Sequence, residues 1–306
     1  MRFAVVGAGA VGGYYGARLQ AAGHEVHFLY NSEYTAVLAH GLRVRSPQGD
    51  LHLQVKVYSK AQDMPVVDVV LVALKATQSH LLAGILPHLV GADTFVYCLQ
   101  NGLGNEEIIA ASVGEERVLA GAAFICSERG EPGEVIHYTE GRLAIGPCFE
   151  AGREAAWEMS QRLAAVFKEA GVPCKANPSG RAVKWGKLVW NVPFSGGSLY
   201  HGGVPVDRIS GNEEREAFAL SLMEEVLAAA ALDGAEIDAR LPGQNLTATR
   251  GMGTYKPSIL VDFEKKRPME IDCLFREPLR RGKAAGLEMP AMTELLRGIL
   301  ETTGQS

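Results

Sequence analysis

Residues 2–30, RFAVVGAGAVGGYYGARLQAAGHEVHFLY, decide how the rest of the chain is read. Phe3 to Val6 is a short apolar run rich in strand formers. Gly7, Gly9 and Gly12 follow at G-x-G-x-x-G spacing. Ala8 to Gln20 has helical composition, Gly23 stops it, and Glu25 to Tyr30 is a second strand-like run. The pattern predicts a strand–turn–helix–strand unit of roughly thirty residues with its glycines at the first turn, where a dinucleotide pyrophosphate binds. Gly7 permits the tight turn, Gly9 lets the backbone approach phosphate, and Gly12 lets the helix pack close to the strand. Ala8, Ala10 and Val11 complete the loop, and the free N–H groups of the first helical turn face the anion. In a chain with 35 glycines the spacing alone is weak. The strand before it and the helix after it give it weight.

Downstream, Leu42 to Val44 and Leu51 to Tyr58 read as strands flanking the turn Pro47-Gln48-Gly49-Asp50. Val66 to Leu74 (VVDVVLVAL) is a near-continuous apolar run, which suits a parallel strand covered on both faces. Ser79 to Leu89 reads as helix, Thr94 to Leu99 as strand and Glu106 to Ser112 as helix. Arg117 to Cys126, Val135 to Tyr138 and Leu143 to Gly146 read as strands separated by glycine turns. Strands alternating with helices indicate a doubly wound α/β sheet of Rossmann-like type. Arg153 to Ala170 is an amphipathic helix, and Val172 to Lys175 a short strand. The turn-rich Asn177-Pro178-Ser179-Gly180 marks a boundary and a hinge. The expected organisation is a dinucleotide-binding domain over 1–177 and an all-α domain over 178–306. The helices of the latter fall at Arg181–Tyr200, Glu213–Asp233, Leu246–Gly251, Ser258–Lys266, Glu270–Gly286 and Ala291–Thr302. In that arrangement the active site lies in the cleft between the domains.

Composition narrows the function. At 306 residues the length suits about two domains. With 47% hydrophobic and 21% charged residues, the chain can bury a sizeable core. The net charge is −5 and the only basic run is Lys265-Lys266-Arg267, so nucleic-acid binding lacks electrostatic support. The five cysteines, Cys98, Cys126, Cys148, Cys174 and Cys273, form no C-x-x-C pair, and the histidines show no H-x-x-x-H spacing. No metal site is expected, and the thiols read as reduced. The first strand begins at residue 2, leaving no room for a signal peptide, and no apolar run reaches the ~18 residues of a membrane span. The expectation is a soluble cytoplasmic protein. The long helices Glu213–Asp233 and Glu270–Gly286 have apolar surface enough for a homodimer, which is also what a helical core needs.

Chemistry concentrates in three places. On the helix Lys184-Trp185-Gly186-Lys187-Leu188-Val189-Trp190-Asn191-Val192-Pro193-Phe194-Ser195, the residues Lys184, Lys187, Asn191 and Ser195 step by three, four and four. They share one narrow stripe while the other faces are apolar. An ordinary solvent-facing stripe is the simpler reading. Against it stand the narrowness of the stripe and Pro193, which should kink or end the helix. In the first domain, Lys75 in Leu74-Lys75-Ala76-Thr77-Gln78 and Asn101 in Asn101-Gly102 follow strands at the carboxyl edge of the sheet, outside which ligands bind. Further on, Ser258 reads as an N-cap and Glu270 as a first-turn acid, unless a ligand claims them.

Taken together, the motifs GAGAVG (7–12), LKATQ (74–78), QNGLGNEE (100–107), KLVWN (187–191), KPSILVD (256–262) and RPMEID (267–272) resemble the ketopantoate reductase family over nearly the whole chain. The family reduces 2-dehydropantoate, a 2-oxo acid, to (R)-pantoate with NADPH on the route to pantothenate and coenzyme A. The resemblance implies Lys187 as proton donor and Asn191 as a substrate ligand one turn on. It implies Asn101 as a contact to cofactor and substrate, Ser258 as a substrate contact, Glu270 as an acid near the ribose and active site, and Lys75 as a cofactor contact. Lys184, if close, should lower the pKa of Lys187 and so aid proton transfer. Three places in the chain depart from the family pattern. Ser195 stands where an asparagine is common. Phe275 falls where an asparagine–glycine often follows E-I-D, again near the expected substrate pocket. After the second strand, Asn31 and Ser32 replace the arginine that meets the 2′-phosphate, and Phe28 to Ser32 holds no acid for an NAD ribose either. NADP is the expected cofactor and NAD the lesser one, with Asn31 and Lys75 toward the phosphate. Two alternatives remain open, a reductase of the same family acting on another 2-oxo acid and a non-catalytic NADP-binding sensor.

Overall fold

In the computed structural model, which describes residues 1–305, the chain divides into two units. One comprises Met1–Gln100 and Asn105–Val183, the other Asn101–Gly104 and the chain from Lys184 onward.

The first unit opens with β1 (Arg2–Val6), α1 (Ala10–Ala21) and β2 (Glu25–Leu29). Next come α2 (Tyr34–His40), β3 (Leu42–Arg45), β4 (Leu51–Leu53), β5 (Lys56–Tyr58), β6 (Val67–Val72), α3 (Leu82–Ile85) and β7 (Val90–Cys98). The unit closes with α4 (Asn105–Val113), β8 (Val118–Arg129), β9 (Glu134–Pro147), α5 (Arg153–Glu169) and β10 (Cys174–Ala176). Among the described residues these strands form one mixed sheet in the order β4-β3-β9-β8-β7-β6-β1-β2-β5, with β10 on β9. From β1 the parallel strands run outward in two directions, to β2 and β5 on one side and to β6, β7 and β8 on the other. The doubly wound core is therefore present, and β1 stands where the winding reverses. The antiparallel partners β8–β9 and β3–β4 extend it.

Alternation along β1 and β6 shows why Phe3–Val6 and Val69–Val72 are apolar on both faces. Phe3, Val5, Val69 and Leu71 enter a core with Tyr15, Phe28, Tyr97 and Phe167. Ala4, Val6, Val70 and Val72 enter the opposite one with Leu82, Leu86 and Ile109. A strand covered on both faces has no polar side. The glycines at the first turn are equally constrained. Gly7 has φ +93°, and a β-carbon there would strike the Leu74 backbone. One on Gly12 would strike the Gly7 carbonyl and lie 2.9 Å from Val5 Cγ1.

Several elements differ from the sequence expectation. Leu51–Tyr58 is two strands, because Leu51–Leu53 pairs with β3 at one end of the sheet and Lys56–Tyr58 with β2 at the other. Val135–Tyr138 and Leu143–Gly146 belong to one strand, β9. The register against β8 shifts twice there, and Gly141 at φ +118° forms one of the two bulges instead of a turn. Ser79–Leu89 holds only one short α-helical turn, α3, between 3₁₀ segments.

The second unit is helical. The helix α6 (Gly180–Trp190) runs without a break through a π-helical stretch, Asn191–Gly196, into α7 (Gly197–Tyr200). Short α8 (Asp207–Ser210) precedes α9 (Glu213–Leu232), capped by Asn212 Oδ1, which accepts the Arg215 amide at 3.0 Å. Then come α10 (Leu241–Arg250), α11 (Ser258–Glu264), a second π-helical stretch (Asp272–Arg276), α12 (Glu277–Ala284) and α13 (Pro290–Thr303). Pro193 neither ends nor breaks its helix. The wider π turn gives its ring the room that an α-helical carbonyl four residues back would occupy. No helix among the described residues is long and apolar enough to cross a membrane.

Candidate active site

The glycine loop fits a dinucleotide pyrophosphate. Gly9 sits at the amino end of α1, no side chain caps the helix, and its first turn carries no acid. A β-carbon on Gly9 would meet only Arg129 Cδ, at 3.9 Å, so the loop surface is bare backbone that a side chain would cover. Bare N–H groups at the positive end of a helix of this length attract a phosphate. Lys75 is exposed just beyond β6, and Asn31 and Ser32 are exposed just beyond β2.

In the second unit, three of the residues singled out from sequence are joined by hydrogen bonds. Lys187 Nζ donates to Asn101 Oδ1 at 2.8 Å, and Asn101 Nδ2 donates to Glu270 Oε2 at 3.1 Å. Because an amide has one accepting and one donating end, the carboxylate and the ammonium together fix its orientation. Glu270 is 5% exposed and lies just before the second π stretch; its carboxylate bonds Asn101, while its carbonyl accepts the Leu274 amide. The loop that presents Asn101 is held by the same stretch. Leu103 N donates to the Cys273 carbonyl at 2.9 Å, and a β-carbon on Gly102 would strike that carbonyl. Lys187 is held through its helix, where Trp185 is fully buried and its Nε1 donates to Asp233 Oδ2 at 2.7 Å.

Asn191 and Ser195, 8% and 5% exposed, follow Lys187 within the π-helical stretch. A π turn is wider than an α turn, so Ser195 falls more nearly over Asn191 than regular α-helical spacing would put it. Lys184 is also buried. Ser258 lies on another helix. It is the exposed first residue of α11, where Pro257 holds the cap position, so it does not act as an N-cap. Phe275 is 0% exposed and packs beneath Gly196, whose β-carbon would lie 2.8 Å from Phe275 Cε1. It belongs to the helical core. No cluster of His, Cys, Asp and Glu among the described residues is placed to hold a metal.

Two charged residues at the carboxyl end of β2 were not singled out from sequence. Glu33 Oε1 pairs with Arg129 Nη1 at 2.9 Å, and Glu33 Oε2 accepts the Gly133 amide at 3.1 Å. A signal for Glu33 existed, since it follows the last motif glycine by about the twenty residues at which a ribose-binding acid stands. Nothing local marks Arg129, which arrives from the far end of β8.

Residues 3–149 match the family described as Ketopantoate reductase PanE/ApbA, and residues 180–301 match Ketopantoate reductase PanE/ApbA C terminal. The 2-dehydropantoate 2-reductase of Nostoc sp. is 35% identical over 291 residues, spanning 94% of this chain and 91% of its own. The crystal structure of 2-dehydropantoate 2-reductase from Geobacter metallireducens GS-15 shares 40% identity at a TM-score of 0.91, covering 98% of this chain and 99% of that one. The structure of D-mandelate dehydrogenase with NADH and anilino(oxo)acetate has a TM-score of 0.87 with 99% of each chain covered, and at 21% identity it shares the fold alone.

Proposed function

As the chain belongs to the ketopantoate reductase family of oxidoreductases, we propose that it reduces 2-dehydropantoate to (R)-pantoate, with NADPH as cofactor and Lys187 as proton donor. The observation that carries this reading is the chain of hydrogen bonds from Lys187 through Asn101 to Glu270. A nicotinamide cofactor bound at Gly7–Gly12 supplies the hydride. Negative charge then builds on the substrate's ketone oxygen, and the Lys187 ammonium stabilises it and delivers the proton. Asn101 holds Nζ by accepting one of its protons. Glu270 keeps the amide turned so that oxygen, not nitrogen, faces the ammonium. Asn191 and Ser195, on the same stripe as Lys187, orient the 2-oxo acid, with Ser258 as a further contact. Lys75 and Asn31 contact the cofactor.

A second reading, a different 2-oxo acid, is favoured by Ser195, whose short hydroxyl reaches less far than the asparagine common at that position. Assaying NADPH oxidation with 2-dehydropantoate and a panel of 2-oxo acids separates the two. Turnover fastest on another acid selects the second reading, and tight NADPH binding without any turnover selects a sensor. Lys187→Ala should lower turnover by about 10²–10⁴-fold while cofactor binding persists. Near-wild-type turnover in that variant removes Lys187 from the chemistry.

A further inference from the structure

We propose that Arg129 supplies the cation for the cofactor's 2′-phosphate that the end of β2 lacks, and that Glu33 positions it. The inference deepens the proposed use of NADPH and rests on that reading. In a doubly wound fold the adenine ribose lies beside the end of the second strand, where an acid selects the free diol and an arginine the phosphate. Here that end carries Asn31 and Ser32, both exposed and neutral. The nearest acid, Glu33, is 16% exposed and has both carboxylate oxygens engaged, by Arg129 Nη1 and by the Gly133 amide.

The arginine comes from the last residue of β8. Its stem passes Gly9, with Cδ 3.9 Å from where a β-carbon would stand, and its guanidinium ends at Glu33. It thus spans from the pyrophosphate loop to the ribose corner within the first unit. At 46% exposure its fork is open to solvent, and the Glu33 contact engages Nη1 alone. A planar fork with donors to spare suits a phosphate. Glu33, with both oxygens bonded, fixes the fork.

Binding of 2′,5′-ADP and of 5′-AMP, measured by calorimetry at fixed salt, tests the assignment without turnover. Wild-type protein should prefer 2′,5′-ADP. Arg129→Gln should cut that preference at least about tenfold through weaker 2′,5′-ADP binding, and Arg129→Lys should restore part of it. An unchanged preference in Arg129→Gln, or equal weakening of both ligands, overturns the role of Arg129. Weaker 5′-AMP binding in Glu33→Gln makes Glu33 a ribose-diol acceptor and overturns the positioning role. Wild-type protein that binds 5′-AMP as tightly as 2′,5′-ADP removes the NADPH reading itself, a result distinct from a loss seen only in the variants.

Discussion

At the scale of single residues, an ammonium, a neutral amide and a carboxylate stand in line. Lys187 and Glu270 are joined through Asn101. Ser195 offers a sharper test of substrate contact than the lysine. Its side chain is buried beside Asn191 on the π-helical stretch. Removing a hydroxyl that binds ground state and transition state alike raises KM and spares kcat. Ser195→Ala should therefore raise KM for the preferred 2-oxo acid by about three- to thirtyfold, the worth of one hydrogen bond. Steady-state kinetics measure this, and an unchanged KM takes Ser195 out of the pocket. The lysine, the amide and the acid were each nameable from motif and residue type. That the amide links the other two was not, because positions 101, 187 and 270 are far apart in sequence and meet only through folding.

At the scale of elements, the decisive feature is the π-helical stretch after α6 and its packing on the second such stretch. Gly196 leaves room for the Phe275 ring, and Leu295 Cδ2 would lie 2.9 Å from a β-carbon at the same point. Phe275 thus acts as a wedge that seats one helix on another. Phe275→Ala should cost about 3–5 kcal/mol of stability, the usual penalty for emptying a buried phenylalanine site. KM for the 2-oxo acid should stay close to wild type at a temperature where the variant is folded. Urea unfolding and kinetics on the same preparation check both halves. A large change in KM with little loss of stability would return Phe275 to the substrate pocket. From sequence, Pro193 argued for a kink or an end of the helix. That reading took regular α-helical geometry for granted, and a π turn is set by packing that no local pattern announces.

At the scale of the whole molecule, burial pushes three histidines below their ordinary pKa, His24, His27 and His201, each chiefly by desolvation. His27 lies in β2 with Nδ1 3.0 Å from Tyr58 Oη and Nε2 3.1 Å from Glu25 Oε1. A base whose pKa is lowered on folding binds fewer protons folded than unfolded once the pH drops below about 6.5. Stability should therefore be fully present above that value and decline as the pH falls through it toward the lowered values. The thermal midpoint should fall as the pH is lowered from 7.5 to 5.5. His27→Gln should flatten the decline. A midpoint that stays level or rises on acidification contradicts this account. None of the three histidines stood out in the sequence, since burial is a property of the assembled sheet and helices.

The glycine motif, the apolar β6 run and the alternation of strands with helices, followed by helices alone, determined the fold class without any structure. Those features work because they are local. A parallel strand covered on both faces must be apolar throughout, and a turn against a strand admits only glycine. The ordered motifs likewise placed the chain in its family. Tertiary structure alone decided the rest: the split of residues 51–58 between opposite ends of the sheet, the hydrogen bonds that tie Lys187 to Glu270 through Asn101, and the reach of Arg129 to Glu33. Each depends on which distant segments come to lie side by side. That is settled by the joint burial of many apolar side chains, and no short stretch of sequence encodes it.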